Sequence, residues 1–382
     1  MRTLTWRALA LLLCALFLAS IAGYYHRGFG FTALLALPKG HDYELPELQA
    51  LPHIDYEGTG YDAQYYVQLA LRPSLRNPDI DRTMDAPPYR ARRILFSWTA
   101  FAAGLGQPWA IVQVFALQNV ACWLLLAWLI ARWIPPDTPR LFALWTASMF
   151  SHGLLFSVRF SLLDGPSLML VAIAALAVER GRPWAAASIT GLAGLARETN
   201  LLGAVMLARR PRGRRQWIQS AAFAALVAMP LILWQDYLYS IYRSTSFAGG
   251  DQLARPFTAF LGAWRAAIGG LAAQGLVSPA LHSLLIMISL TVQAMFLAWT
   301  RDFRQPWWRI AAVFGALMMI VGPAVWAGTP GAITRVVLPL TFGFNVLLAR
   351  QRRGFWAWCV LGNLHVLPAL HALPVLGIVP PL

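Results

Sequence analysis

The chain has 382 residues, 58% of them apolar and only 12% charged, about half the charge of a typical soluble domain. Arginine and lysine outnumber the acids 31 to 16, a formal charge of +15, and Lys39 is the sole lysine. Too little charge remains to coat a water-soluble body of this size, and several apolar stretches reach the roughly 20 residues that cross a bilayer as a helix. A soluble enzyme, a disordered chain and a secreted disulfide scaffold are thereby excluded. The long, non-alternating runs also argue against a transmembrane barrel.

The composition therefore predicts an all-α polytopic membrane protein forming a single integral membrane domain over 1–382. In a soluble protein such a basic excess would suggest nucleic acid. Here short cytoplasmic loops rich in arginine set the topology, and no nucleic-acid partner is expected. Cys14, Cys122 and Cys359 lie in apolar stretches and have no metal-ligand spacing.

The N-terminal residues carry Arg2 and Arg7 and no acid before the apolar run 8–24. This run predicts a first helix with the N-terminus in the cytoplasm; the rival reading is a signal peptide cleaved near Ser20-Ile21-Ala22. The polar segment 24–93 follows. It holds nine of the 16 acids, Asp42, Glu44, Glu47, Asp55, Glu57, Asp62, Asp79, Asp81 and Asp85, and seven prolines, so it reads as a long first extracytoplasmic loop. Within it, Tyr61, Tyr65 and Leu69 at i, i+4 and i+8 predict a short helix lying along the membrane surface. Residues 94–105 predict a half-helix, broken by Gly104, Gly106 and Pro108.

Spans are then expected near 109–133, 141–158, 165–178, 217–237, 281–300, 308–326, 333–349 and 355–373. Segment 184–208 lies between Arg180 and Arg182 on one side and the cluster Arg209, Arg210, Arg212, Arg214 and Arg215 on the other. With both ends cytoplasmic it must be re-entrant, or two half-helices meeting near 194–199.

Ionisable groups at membrane depth are costly and mark function. The candidates gather on the outer side. They are Asp62 with Asp55 and Glu57 before it, then Arg90, Arg92 and Arg93, then Arg159 and Asp164. Arg243, Asp251, Arg255 and Arg265 follow in a second outer segment, and Arg335 sits near the end of its span. Each has a plainer reading. Asp62 can cap its short helix, and Asp55 and Glu57 can be solvated. Arg90, Arg92 and Arg93 can anchor at the interface, and Asp164 can simply start a helix. Arg197 and Glu198 can pair with each other, and His152 can be a packed residue.

Gly60-Tyr61-Asp62-Ala63-Gln64-Tyr65-Tyr66 followed by Tyr89-Arg90-Ala91-Arg92-Arg93-Ile94-Leu95 resembles the first outer loop of bacterial GT-C-type glycosyltransferases. In many of these the loop reads G-Y-D-G-Q-F-Y-Y and then Y-R-x-x-R-I-L; Ala63 stands here where Gly is common. The likeness continues in Asp164-Gly165-Pro166-Ser167-Leu168, Gly194-Leu195-Ala196-Arg197-Glu198-Thr199 and Thr334-Arg335-Val336-Val337-Leu338-Pro339-Leu340.

The resemblance implies a GT-C-like bundle of nine or ten transmembrane helices in the cytoplasmic membrane, with its active site on the extracytoplasmic side. It implies an inverting hexosyl or pentosyl transfer from a polyprenyl-phosphate sugar donor to a glycan, lipid or protein acceptor of the cell envelope. Such a reaction needs a carboxylate to take the acceptor's proton and cations on the departing phosphate, a role the arginine fork suits. The implied base is Asp62. Arg90, Arg93 and Arg335 are the implied phosphate contacts, with Arg159 beside them. Asp55, Glu57, Gln64, Tyr65 and Asp164 complete the implied substrate site. A divalent metal between the acids is conceivable, but no D-x-D motif points to one and no cofactor is expected. The rivals are a lipid-linked sugar flippase or other transporter, to which Arg197 and Glu198 would belong, and a non-catalytic scaffold of the same fold.

Overall fold

The computed structural model describes residues 2–40, 43–208, 212–243, 252–275, 279–328 and 331–370. Asp42, Arg209, Arg210 and Asp251, and the end of the span expected at 355–373, lie outside the described residues.

The chain is helical almost throughout, a multi-pass membrane protein. Among the described residues, four helices are long and apolar enough to cross a bilayer: Leu4–Ala22, Pro108–Ile130, Arg214–Tyr242 and Pro279–Thr300. A fifth span forms if Pro139–Met149 and His152–Arg159, bent by 43° at their junction, count as one. Several of the other expected spans are broken in backbone or form shorter helices. The expected 333–349 span is divided at Val337 into Ile333–Val336 and Leu338–Leu348. Pro306–Ile320 is apolar but only 15 residues long.

The chain forms two compact units. One comprises Ala19–Leu125 and Ser157–Ala248. Its loop region contains a parallel pair of two-residue strands, Leu37–Pro38 and Asp55–Tyr56, and the short helices Pro46–Gln49, Ala63–Leu71, Asp79–Arg82 and Pro87–Ala91. The helix predicted around Tyr65 is present, but it does not lie open on a surface. Eight of its nine residues are buried, and Tyr65 is the exception. It packs against Leu95–Ala103, where the Ser97 hydroxyl donates to the Tyr66 carbonyl at 2.8 Å. Gln68 fastens the preceding loop to it. The Gln68 amide donates to the Tyr43 carbonyl at 3.1 Å and its oxygen accepts from the Leu45 N–H at 2.7 Å.

Leu95–Ala103 is the expected half-helix, ended by a turn in which Leu105 and Gly106 take positive φ. In the same unit Pro183–Ala196 packs between Asp164–Glu179 and the 29-residue Arg214–Tyr242. The C-terminal half of Arg214–Tyr242 is tied to the loop. Trp234 donates to the Ala91 carbonyl at 2.8 Å, and the Tyr237 hydroxyl donates to the Ser74 carbonyl at 2.6 Å.

The other unit comprises Met1–Leu18, Leu126–Phe156 and Gly249–Leu382. At its centre lies Leu338–Leu348, all eleven residues of which are buried, packed on Pro306–Ile320. Several of its buried polar groups are satisfied through uncharged amides, as close helix packing in a membrane favours. Gln293 donates to the Gly362 carbonyl at 2.8 Å and accepts from Thr341 at 3.1 Å. Asn345 and Asn363 exchange hydrogen bonds of 3.1 and 3.0 Å.

Candidate active site

The segment before the Ala63–Leu71 helix is shaped by Gly60. Its φ is +75°, and a Cβ there would meet the Pro38 ring at 2.8 Å, so glycine fits both the turn and the close approach. The Tyr61 N–H donates to the Ala36 carbonyl at 3.1 Å, which holds Asp62 at the helix start. Asp62 makes no side-chain capping bond to that helix. Its carboxylate instead accepts from Arg90 Nη1 at 3.0 Å, with 31% of the side chain exposed. Capping therefore does not account for the acid.

Arg90 is the hub of this part of the site. It binds Asp85 through both ends of its fork, at 2.9 and 2.7 Å, and lies 4.4 Å above the Tyr65 ring. Burial opposes the Arg90 charge, but Asp85 and Asp62 outweigh it and hold the guanidinium above its ordinary range. Burial and then the charge of Asp85 push the Tyr65 phenol up.

Arg93 meets Glu198 in a second bidentate pair, at 2.9 and 2.7 Å, and donates to the hydroxyls of Tyr66 and Tyr89 at 3.2 and 2.9 Å. The break in segment 184–208 falls at Arg197, which is extended between Pro183–Ala196 and the 3₁₀ helix Glu198–Leu207. Arg197 forms an ion pair with Asp164, the buried first residue of its helix. Arg197 and Glu198 thus reach to two different partners, and together they bind the break to Asp164 and Arg93.

Arg159 differs from these. It is buried and donates to the Ala33 carbonyl at 3.0 Å. Its guanidinium lies 4.6 Å from the Tyr24 ring and 4.7 Å from the Phe160 ring. Among the described residues it forms no ion pair with a carboxylate. Tyr61, the neighbour of Asp62, stacks on the same Phe160 ring at 4.7 Å, so one aromatic cluster links the acid's backbone to a cation.

Arg335 lies in the other unit, buried, with its guanidinium 5.7 Å from the Phe156 ring. The turn before it is pressed against His152 and Gly153. A Cβ at Gly153 would collide with the Thr334 carbonyl oxygen, and His152 Nδ1 lies 3.0 Å from the Thr334 hydroxyl. His152 is thus a packed residue that fixes the approach to Arg335.

Of the remaining candidates, Asp55 is exposed and lies 3.7 Å from His53, which also lies 3.5 Å from Glu44. Glu57 is exposed. Arg243, Arg255 and Arg265 are exposed. Gln64 is buried, and its amide lies 3.4 Å from the Thr59 carbonyl. Asp85 and Tyr89 are site residues that sequence reasoning misses. The signal is there in Asp85 followed by Pro87-Pro88, a turn that starts the Pro87–Ala91 helix and returns Arg90 to the acid five residues before it. Beside these residues opens a cavity of about 560 Å³ lined in part by Tyr43, Thr59, Gln64, Tyr65, Thr83 and Asp85. Among the described residues no group of three His, Cys, Asp or Glu side chains is placed to hold a metal ion.

Compared with known families, residues 94–323 match glycosyltransferase family 87. The match spans more than half of the chain. The protein belongs to glycosyltransferase family 87. No curated protein and no solved structure matches the chain. As a member of this family it is a membrane glycosyltransferase, acting on a sugar donor and an acceptor at the bilayer. Within this glycosyltransferase, the matched region contains Arg159, Asp164, Arg197 and Glu198; Asp62, Arg90 and Arg93 precede it and Arg335 follows it.

Proposed function

We propose that this family 87 glycosyltransferase moves a hexose or pentose from a polyprenyl-phosphate donor to a cell-envelope acceptor, with inversion at the sugar carbon. The reaction runs on the extracytoplasmic face of the cytoplasmic membrane, with the N-terminus in the cytoplasm. The acceptor oxygen bonds the sugar carbon as the carbon–oxygen bond to phosphate breaks. The electron pair leaves on the phosphate, and the acceptor's proton passes to the Asp62 carboxylate.

One observation carries this reading. Asp62 is held by Arg90 rather than by a helix cap, stays in reach of solvent, and follows Tyr61, whose ring stacks on the Phe160 ring that Arg159 also meets. Arg90 and Arg93 already hold carboxylates with both arms of their forks, so their role is to orient Asp62 and to brace the Tyr66 and Tyr89 hydroxyls. The phosphate falls to Arg159, which is held by neutral groups, a carbonyl and two rings. Growing negative charge on the leaving phosphate stabilises such a cation more than a cation already paired with a carboxylate. The transporter reading loses its main support, because Arg197 and Glu198 are bound in ion pairs to Asp164 and Arg93.

The test is Asp62→Asn in the full-length protein reconstituted with a polyprenyl-phosphate sugar. Transfer is expected to fall by about 10²–10⁴-fold, the usual contribution of a general base, while insertion is unchanged. Undiminished transfer overturns the assignment. Arg159→Ala is expected to raise the donor KM more than the acceptor KM.

A further inference from the structure

We propose that a cavity at the end of the Pro279–Thr300 span binds the head group of an anionic glycerophospholipid, a phosphatidylglycerol of the surrounding bilayer. The cavity lies within the unit formed by Met1–Leu18, Leu126–Phe156 and Gly249–Leu382, and none of the groups assigned to sugar transfer line it.

Thr300 closes a helix long and apolar enough to cross the membrane, so the residues after it stand at the level of the lipid head groups. The cavity opens there. It measures about 310 Å³ and is lined by Thr300, Arg301, Asp302, Leu347, Arg350 and Gln351. Two loops meet in it, one following Pro279–Thr300 and one following Leu338–Leu348. Aromatic rings mark the same level, as they do at membrane interfaces. Trp299 is 53% exposed and stacks on Trp358 at 5.9 Å, and Phe303, 59% exposed, lies 4.4 Å from the Trp308 ring.

Charge then defines the occupant. The two loops carry Arg301, Arg304, Arg350, Arg352 and Arg353 against a single acid, Asp302. Arginines in such loops ordinarily orient the helices. Arg301 and Arg350 do more, because both line one cavity and neither meets a carboxylate among the described residues. Arg301 Nε donates to the Ala298 carbonyl at 2.9 Å, which anchors the fork and leaves its terminal nitrogens for a ligand. The Arg350 loop is braced from another helix, since Arg140 donates to the Gln351 carbonyl and lies 4.1 Å from the Phe355 ring. Two guanidiniums on one cavity repel each other until an anion lies between them, and a phosphodiester accepts from both.

Asp302 lines the same wall and forms no ion pair among the described residues. With the two arginines it leaves one net positive charge, the complement of a phosphodiester monoanion. Asp302 then accepts from a hydroxyl, and the Gln351 amide can donate or accept. A phosphoglycerol group has these parts, one negative charge and two terminal hydroxyls. A phosphocholine group has no net charge and no donor for Asp302. Basic pockets between membrane helices are usual seats for anionic head groups. A free phosphate brings no chains to lie along the exposed Trp299 and Phe303 rings, so the lipid is the better fit. Its phosphate ties the end of Pro279–Thr300 to the end of Leu338–Leu348, the buried centre of the unit.

The test uses the full-length protein in detergent, stripped of lipid, with retention read by native mass spectrometry. Phosphatidylglycerol, phosphatidylmethanol and phosphatidylcholine are added in equal amounts. Phosphatidylglycerol is expected to be held in preference to the other two. Arg301→Gln with Arg350→Gln is expected to weaken its retention about tenfold or more, the scale of one lost hydrogen bond to a charged group. Arg352→Gln with Arg353→Gln removes the same charge without altering the cavity wall and is expected to leave retention near that of the wild type. All four arginines are exposed, so both double variants are expected to fold, and an unchanged thermal midpoint in lipid-free detergent checks this. Asp302→Ala is expected to abolish the preference over phosphatidylmethanol, which carries the same charge and no hydroxyl. Equal retention of the three lipids by the wild type overturns the proposal. So does an equal loss in the two double variants, which leaves only the general attraction of a basic surface. Displacement of the lipid by inorganic phosphate makes the site one for a free anion and overturns the lipid assignment. A preference over phosphatidylmethanol that survives Asp302→Ala overturns the phosphoglycerol assignment.

Discussion

The two compact units solve the problem of buried polarity in opposite ways. All but three of the 16 acids, Asp137, Asp251 and Asp302, belong to the unit formed by Ala19–Leu125 and Ser157–Ala248. There, arginines are held by carboxylates: the largely buried Arg90 by Asp62 and the exposed Asp85, Arg93 by Glu198, and Arg197 by the buried Asp164, while Arg159 is buried on a carbonyl. The unit formed by Met1–Leu18, Leu126–Phe156 and Gly249–Leu382 relies on Gln293, Thr341, Asn345 and Asn363. Neutral amides satisfy each other at little desolvation cost, whereas paired charges retain a strong local field. The first arrangement suits a site where charge must move in a reaction. The second suits a scaffold.

The comparison is broken most severely by removing one half of a buried pair. Glu198→Ala leaves Arg93 without its carboxylate, and the expected cost is up to about 3 kcal/mol, because a charge then stays buried with nothing to balance it. Thermal unfolding of the purified protein measures it. The double replacement Arg93→Met with Glu198→Ala is expected to recover much of the loss. If the double variant is as unstable as the single, the pair is not what holds the Arg197 break in place.

A smaller effect follows from Asp85→Asn. The amide keeps the shape of the side chain and one acceptor for Arg90, but removes one of the two negative charges that hold its fork. Asp62 then becomes the sole ionised partner among the contacts described for Arg90. With 48% of the Asp85 side chain exposed, the variant is expected to lose at most about 1 kcal/mol, the scale of a solvent-exposed ion pair. Transfer is expected to fall by less than in Asp62→Asn. A loss of transfer equal to that of Asp62→Asn moves the role of base toward Asp85.

Much of this contrast was out of reach of the sequence, for a physical reason. Long apolar helices such as Pro108–Ile130 and Pro279–Thr300 are legible because a run of apolar residues is a local property. The break near Arg197 is legible too, since a charged pair interrupts an apolar run. The 43° bend after Met149 is not, because no proline announces it, and at Val337 the signal is slight, a single Pro339 in the first turn of Leu338–Leu348 that an otherwise continuous apolar run masks. The helix carrying Tyr65 is visible from its spacing, yet its burial depends on Leu95–Ala103 and on a loop held by Gln68. The site follows the same rule. Asp62 stands out through its motif, but its partner Arg90 lies 28 residues away and the partner of Arg93 lies 105 residues away. No spacing rule reaches such distances, so the sequence could nominate the arginines for phosphate without showing which ones already hold a carboxylate.

In the amide-rich unit, Gln293→Leu is expected to cost less than any buried charge. It removes the hydrogen bonds to Gly362 and Thr341, and interhelical bonds of this kind contribute about 0.6–2 kcal/mol. Its thermal midpoint is expected to fall modestly while the donor and acceptor KM values stay as in the wild type. A change in either KM overturns the reading of this unit as a scaffold.

The smallest effect sharpens the contrast from the other side. Arg7 and Asp137 form an ion pair within the amide-rich unit, but 62% of the Arg7 side chain is exposed. Water solvates both ends of such a pair and salt screens it, so the attraction gained on folding is offset by solvation given up and by the entropy of holding a long side chain still. Arg7→Ala is therefore expected to leave the thermal midpoint unchanged within error at physiological salt. The Glu198→Ala variant, measured in the same experiment, supplies the scale. If Arg7→Ala falls as far as Glu198→Ala, exposure does not separate the two kinds of pair in this protein. The distinction between a charged site and a neutral scaffold would then rest on the amide network alone.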